Sequence, residues 1–259
     1  MTYLVAIANE KGGVAKTTTA LSLGAALGER GNRVLLVDLD PQANLTLALG
    51  VKVDGTTNTV SDLLQGRGDP AKARYPTGVE GVELLPATSE LLVADRFLGV
   101  RQHYERLLGE QLGKLAGLDY ILLDCPPALG VTTRSALAAA NLLVVPTQAE
   151  FFSANALKDV LELIREIRSQ DNPGLRYRIL LTMLDRRNRI HRTLFERIRQ
   201  TFGTAVFETV IEVDTRLRES PIFAQPITSY APSSRGAVQY RALAEELVAY
   251  ATEAARRPA

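Results

Sequence analysis

Six short apolar runs constrain this chain most: "YLVAIA" (3–8), "RVLLVDLD" (33–40), "VELLPA" (82–87), "YILLDCPP" (120–127), "NLLVVPTQ" (141–148) and "RILLTMLD" (178–185). Each is rich in Val, Ile and Leu and runs continuously, without the alternation of a strand that keeps one face in water. Each therefore reads as a strand buried on both faces. Between them, residues 16–30, 89–116, 132–140 and 153–170 carry apolar positions at helical spacing. This alternation specifies an α/β fold: a doubly wound, mainly parallel sheet flanked by helices, with right-handed crossovers. No linker, repeat or low-complexity tract interrupts it, and 259 residues of 46% hydrophobic content can fill one large core. The expectation is a single domain over residues 1–259.

Ligands of such sheets bind beyond the carboxyl ends of the strands. That places Glu10 to Thr18, Asp38 to Gln42, Asp124 to Pro127, Pro146 to Glu150 and Thr182 to Arg187 along one edge. Thirty basic against twenty-nine acidic residues leave global charge uninformative about partners. One cysteine and two distant histidines, His103 and His191, argue against a thiolate or imidazole metal centre. The start "MTYLVAIANE" lacks a basic leader, and no apolar run approaches the length of a membrane span, so a cytoplasmic protein is expected.

The first strand runs into "NEKGGVAKTTTALSLG" (9–24). A strict phosphate-binding loop has glycine where this chain has Glu10 and Ala15. Gly12 and Gly13 nevertheless allow a turn whose amides face an anion, and the helix that follows adds its positive end. Lys16 then falls on the β and γ phosphates and the Thr17 hydroxyl on Mg²⁺. If Ala15 must turn left-handed, its methyl costs about 1–2 kcal/mol.

"KGGVAKTT" resembles the deviant Walker A loop of the ParA/MinD family of P-loop ATPases, with Ala15 the one departure. The resemblance implies ATP and Mg²⁺ as ligands and Lys11, Gly12, Gly13, Val14, Ala15, Lys16, Thr17 and Thr18 as the nucleotide-binding loop. It implies that Lys11 crosses an ATP-dependent homodimer interface to the partner's nucleotide, adding positive charge over the γ oxygens as an arginine finger does. Asp40 in "VDLDPQANLT" resembles the aspartate that orients the attacking water. Asp124 in "YILLDCPP" resembles the Walker B aspartate, so Thr17, Asp40 and Asp124 form the expected metal set, with Lys11, Lys16 and Asp40 catalytic. Thr182, Met183 and Asp185 fall where the family builds its base-binding wall. Where relatives often have Ile-Pro, this chain has Ile211-Glu212. "VVPTQAEFFS", "TMLDRRNR" and "TRLRESPIFAQPITSYAPSSRGAVQYRALAEEL" extend the resemblance over nearly the whole chain. It is closest to short partitioning ATPases, without an N-terminal helix-turn-helix.

From Arg176 to Arg218 ten arginines face five acids. Arg187 and Arg216 align with arginines that the family uses for sequence-independent binding of double-stranded DNA; Arg189, Arg192 and Arg218 join them by proximity. No aromatic residues are interleaved for base stacking, so phosphate contact is the reading. The family further implies a ParB-type centromere-binding partner that stimulates hydrolysis, and a nucleoid-associated location. The alternative, a MinD-like positioning ATPase on a membrane or protein cargo, needs a C-terminal amphipathic helix with a strong apolar face. "LAEELVAYATEAARRPA" offers mostly alanine and three glutamates, so no membrane partner is expected. The nitrogenase iron protein class shares the loop but needs two cysteines per subunit.

Overall fold

The computed structural model describes residues 2–150 and 153–256. Seven strands form one sheet in the order β3-β4-β2-β5-β1-β6-β7: β1 Tyr3–Ile7, β2 Val34–Asp38, β3 Tyr75–Pro76, β4 Val82–Leu85, β5 Tyr120–Asp124, β6 Leu142–Gln148 and β7 Arg176–Thr182. All neighbours pair in parallel except β3, a two-residue edge strand antiparallel to β4. β2 and β5 are wholly buried, as continuous apolar runs require when helices cover both faces. The α/β class and the mainly parallel sheet expected from the sequence are what the structure has.

Register positions the site. Ile7 pairs with Asp124 and Asp124 with Asp38, so the carboxyl ends of β1, β5 and β2 finish level. Strand order turns around β1, which lies between β5 and β6, the kind of switch point at which these sheets bind ligands.

On one face, α1 (Lys16–Gly28) and α11 (Arg235–Arg256) pack on Val5, Ile7, Leu36, Leu122 and Val144. α1 lies close to the sheet because it is built of small residues. A Cβ on Gly24 would stand 2.6 Å from Leu36, and one on Gly28 2.4 Å from the Glu80 carbonyl. A buried hydroxyl pair, Thr19 and Tyr240 at 3.1 Å, joins α1 to α11. The other face carries α3 (Val60–Leu64), α4 (Leu91–Leu98), α5 (Tyr104–Leu112), α6 (Val131–Ala139) and α7 (Ser153–Gln170).

The expected helix over 89–116 is instead two, α4 and α5. The chain breaks between them at Gly99 and His103, whose φ of 59° is left-handed. A Cβ on Gly99 would stand 3.3 Å from the Val131 side chain. The run 178–185 also ends early as a strand, at Thr182, because Met183 turns left-handed with φ 53°. The remaining elements are α2 (Asn44–Ala48), α8 (Arg189–Phe202), α9 (Arg216–Glu219) and α10 (Ile227–Tyr230).

Candidate functional site

The loop after β1 enters α1 through Ala15, at φ 69° and ψ 35°, so its methyl does sit in the left-handed region. Gly13 has φ 73°. No side chain caps α1, which leaves its first amides directed at the space above the loop. A Cβ on Gly12 or Gly13 would meet nothing within 4 Å: the loop is a cradle open on its upper side.

Three side chains fix the cradle from behind. The Thr182 hydroxyl donates to the Val14 carbonyl at 3.0 Å, and the Gln148 amide donates to the Gly13 carbonyl at 3.2 Å and to the Met183 sulfur at 2.8 Å. Asn9 donates to the Pro146 carbonyl at 2.7 Å and accepts from the Lys11 amide at 3.0 Å.

Both lysines are engaged within the chain. The buried Lys16 ammonium donates to the Lys11 carbonyl at 3.2 Å. Burial lowers its pKa, opposed by Asp124, Cys125 and Asp40. Lys11 turns back along the edge to ion-pair with Glu150 and to donate to Gln148 at 3.2 Å.

Three carboxylates stand at the strand ends. Asp38 is fully buried and accepts from the Asp40 amide at 3.1 Å, the Thr46 amide at 2.9 Å and the Thr46 hydroxyl at 2.7 Å. Burial outweighs these bonds and pushes its pKa up to about 6. Asp124, 1% exposed, has no hydrogen-bond partner at either oxygen. Burial first, then the charges of Asp38 and Asp40, raise its pKa well above its ordinary value, with Thr17 and Lys16 only partly opposing. An orphaned buried carboxylate under a helix N-terminus is costly without a cation. Asp40 holds the Gln42 amide at 2.9 Å.

Above these groups lies a cavity of about 740 Å³. Gly12, Gly13, Ala15, Lys16, Thr17, Thr18, Asp40 and Met183 line it together with Gln42, Asn44, Leu47, Pro127, Pro221 and Ile222. Val14 and Thr182 are buried behind the loop instead of lining it. Asp185 also lies away from it, its carboxylate taken by the Arg187 amide at 2.9 Å and guanidinium at 3.2 Å. Of the three residues expected at the base-side wall, Met183 alone borders the cavity. Leu47, Pro221 and Ile222 had no motif to announce them; they reach the cavity only through the packing of α2 against the turn at 220–223. Among the described residues no group of three or more His, Cys, Asp and Glu side chains could hold a metal alone. The donors fit a divalent cation that keeps water and phosphate ligands, as Mg²⁺ does, and the cradle fits a polyphosphate.

Arg187, Arg189 and Arg192 are exposed on the loop after β7 and the start of α8, and Arg216 and Arg218 on α9. The fold brings the two segments together through Leu184 N to Ile211 O at 3.1 Å and Val213 N to Leu184 O at 3.2 Å. Arg178 and Arg199 are spent internally: Arg178 stacks on Tyr250 at 4.4 Å, and Arg199 pairs with Glu208. Cys125 is buried beside Asp124, and burial pushes its thiol pKa up.

Residues 2–177 match a protein family described as an AAA domain. The chromosome-partitioning ATPase Soj of Thermus thermophilus is 43% identical over 252 residues, which span 96% of this chain and 97% of Soj. The crystal structure of cobyrinic acid a,c-diamide synthase from Mycobacterium smegmatis with bound ATP analogue and magnesium is 37% identical. It covers 96% of this chain and 95% of its own, with a TM-score of 0.84. The septum site-determining protein MinD of Pyrococcus horikoshii, complexed with Mg-ADP, is 29% identical over 95% of this chain and 96% of its own, with a TM-score of 0.77.

Proposed function

The chain belongs to the ParA/MinD family of P-loop ATPases, and from that premise we propose that it is a ParA-type DNA-partitioning ATPase whose ATP-bound pair holds nonspecific double-stranded DNA. Residues 1–259 act as one ATPase unit. The orphaned Asp124 carboxylate beneath an open glycine cradle carries this reading, because that combination demands a cation and a polyphosphate together. Gly12, Gly13 and the first amides of α1 hold the phosphates, Lys16 leaves the Lys11 carbonyl for their oxygens, and Thr17, Asp40 and Asp124 hold the metal. A Mg²⁺ ion held by these three residues would supply positive charge against the negative charge that develops on the phosphates. Asp40, buried at the cavity wall, positions the attacking water. Met183 borders the base side.

Lys11 is the residue through which two copies cooperate. Leaving Glu150 and Gln148, it places its ammonium over the partner's γ-phosphate, where charge grows in a loose phosphoryl transfer. Pairing doubles the number of exposed arginines facing one duplex, so ATP controls DNA binding by joining two weak patches. A ParB-type centromere-binding protein stimulates hydrolysis and releases the pair, which moves a chromosome or plasmid and places the protein on the nucleoid in the cytoplasm.

One observation favours this over a membrane-bound positioning ATPase: α11 spends its apolar residues Tyr240, Leu243, Ala244 and Leu247 in the core against α1.

Light scattering with ADP, ATP and a non-hydrolysable ATP analogue tests the proposal. The wild type should pair with ATP and the analogue only, and Lys11→Ala should lose partner-stimulated hydrolysis by at least about a hundredfold, as removal of a transition-state donor does. Normal stimulated turnover by Lys11→Ala would remove its assigned role.

A further inference from the structure

Glu212 follows the buried Ile211, and its surroundings are built. Its Oε1 accepts from Arg186 Nε at 2.5 Å and its Oε2 from Arg235 Nη1 at 2.8 Å. Its own amide donates to the Gln239 side chain at 2.9 Å, one turn beyond Arg235 on α11. The Glu212 side chain is only 13% exposed, whereas Arg186 and Arg235 are 60% and 61% exposed. One partly buried carboxylate thus fixes two outward guanidiniums side by side. It uses one nitrogen of each and cancels one of their two charges.

We propose that Arg186 and Arg235, held as a pair by Glu212, contact the phosphate backbone of double-stranded DNA and carry the basic surface from the β7–α8 loop onto the start of α11. The inference rests on the DNA-binding reading above and adds two contact residues and one positioning residue to it. Arg186 lies beside Arg187, which is 93% exposed, and its backbone carbonyl accepts from Arg192 at 3.2 Å, so the pair is continuous with the expected arginines. Each guanidinium keeps free N–H donors in a planar fork suited to phosphate oxygens. Fixing both before contact lowers the side-chain entropy lost on binding. Arg235 lies 17 positions beyond the last of the clustered arginines, and only the fold brings it in.

The test is binding of analogue-loaded wild type, Arg235→Ala, Arg235→Lys, Arg186→Ala and the double alanine variant to random-sequence duplex DNA across a salt series. Nucleotide affinity checks that each variant is folded. Arg235→Ala should bind several-fold more weakly, with a log-log salt slope shallower by about 0.9 per protomer. Arg235→Lys should keep the slope but lose part of the affinity, since it keeps the charge and loses the fork. Arg186→Ala and Arg235→Ala should be non-additive in the wild type and additive in a Glu212→Gln background. An unchanged slope in Arg235→Ala, while Arg187→Ala/Arg216→Ala abolishes binding, would overturn the pair and leave the DNA reading standing. Wild type that binds no DNA with any nucleotide would overturn both.

Discussion

Ala15 carries a methyl at φ 69°, where the family's loop has glycine and L-residues are strained. Ala15→Gly removes about 1–2 kcal/mol of strain and returns about 0.5–1 kcal/mol to the unfolded chain as entropy. The nucleotide-free variant should therefore be more stable by about 1 kcal/mol or less in urea titrations; a loss of stability would show the left-handed turn to be unstrained. Asp38 and Asp124 make a second residue-scale prediction. Their folded pKa values lie above the unfolded 3.8, Asp38 at about 6 and Asp124 raised in the same direction. Groups raised in this way stabilise the fold below pH 4 and lose that contribution as pH climbs through the folded values. Between about pH 4 and 7 the nucleotide-free chain should lose stability, roughly 2–3 kcal/mol of it through Asp38. Asp38→Asn should flatten the profile; a wild-type profile that rises through that window would contradict the account.

Among the elements, α1 joins fold to function, since its start receives the anion and its small-residue face sets its distance from the sheet. Gly28→Ala would drive a methyl to 2.4 Å from a backbone carbonyl that cannot swing aside. The expected cost is about 1–3 kcal/mol, read as a lower urea midpoint, whereas an unchanged midpoint would show that α1 can slide. Much of this layer was legible in the sequence. Continuous apolar runs located the parallel strands, and "KGGVAKTT" located the strand-to-helix turn, because both signals are local. What was not legible depends on contacts distant in sequence. Thr182 faces inward to the Val14 carbonyl, 168 positions away, and Glu212 gathers Arg186 and Arg235 from two further segments. Tertiary partners decide these orientations, and residue type alone does not name them.

At the scale of the whole molecule, the nucleotide cavity and the arginine surface share a wall. Ile211, Glu212, Val213, Asp214, Leu217 and Arg218 border a small cavity of about 40 Å³ with Ala15, Thr18 and Met183, and the same segment carries Arg216. Under the proposed pairing, Lys11 would leave Glu150, its ion-pair partner in the single chain, for the second copy's nucleotide. ATP, pairing and DNA would then be linked steps of one switch. The measurement that tests this most directly is binding to random-sequence duplex DNA with ADP, ATP and a non-hydrolysable ATP analogue over a range of salt. The account predicts binding with ATP and the analogue but not ADP, a steep salt dependence with a log-log slope of about −5 for a pair neutralising roughly six phosphates, and loss in Arg187→Ala/Arg216→Ala. Binding that is equal in all three nucleotide states, or absent from all of them, would contradict it.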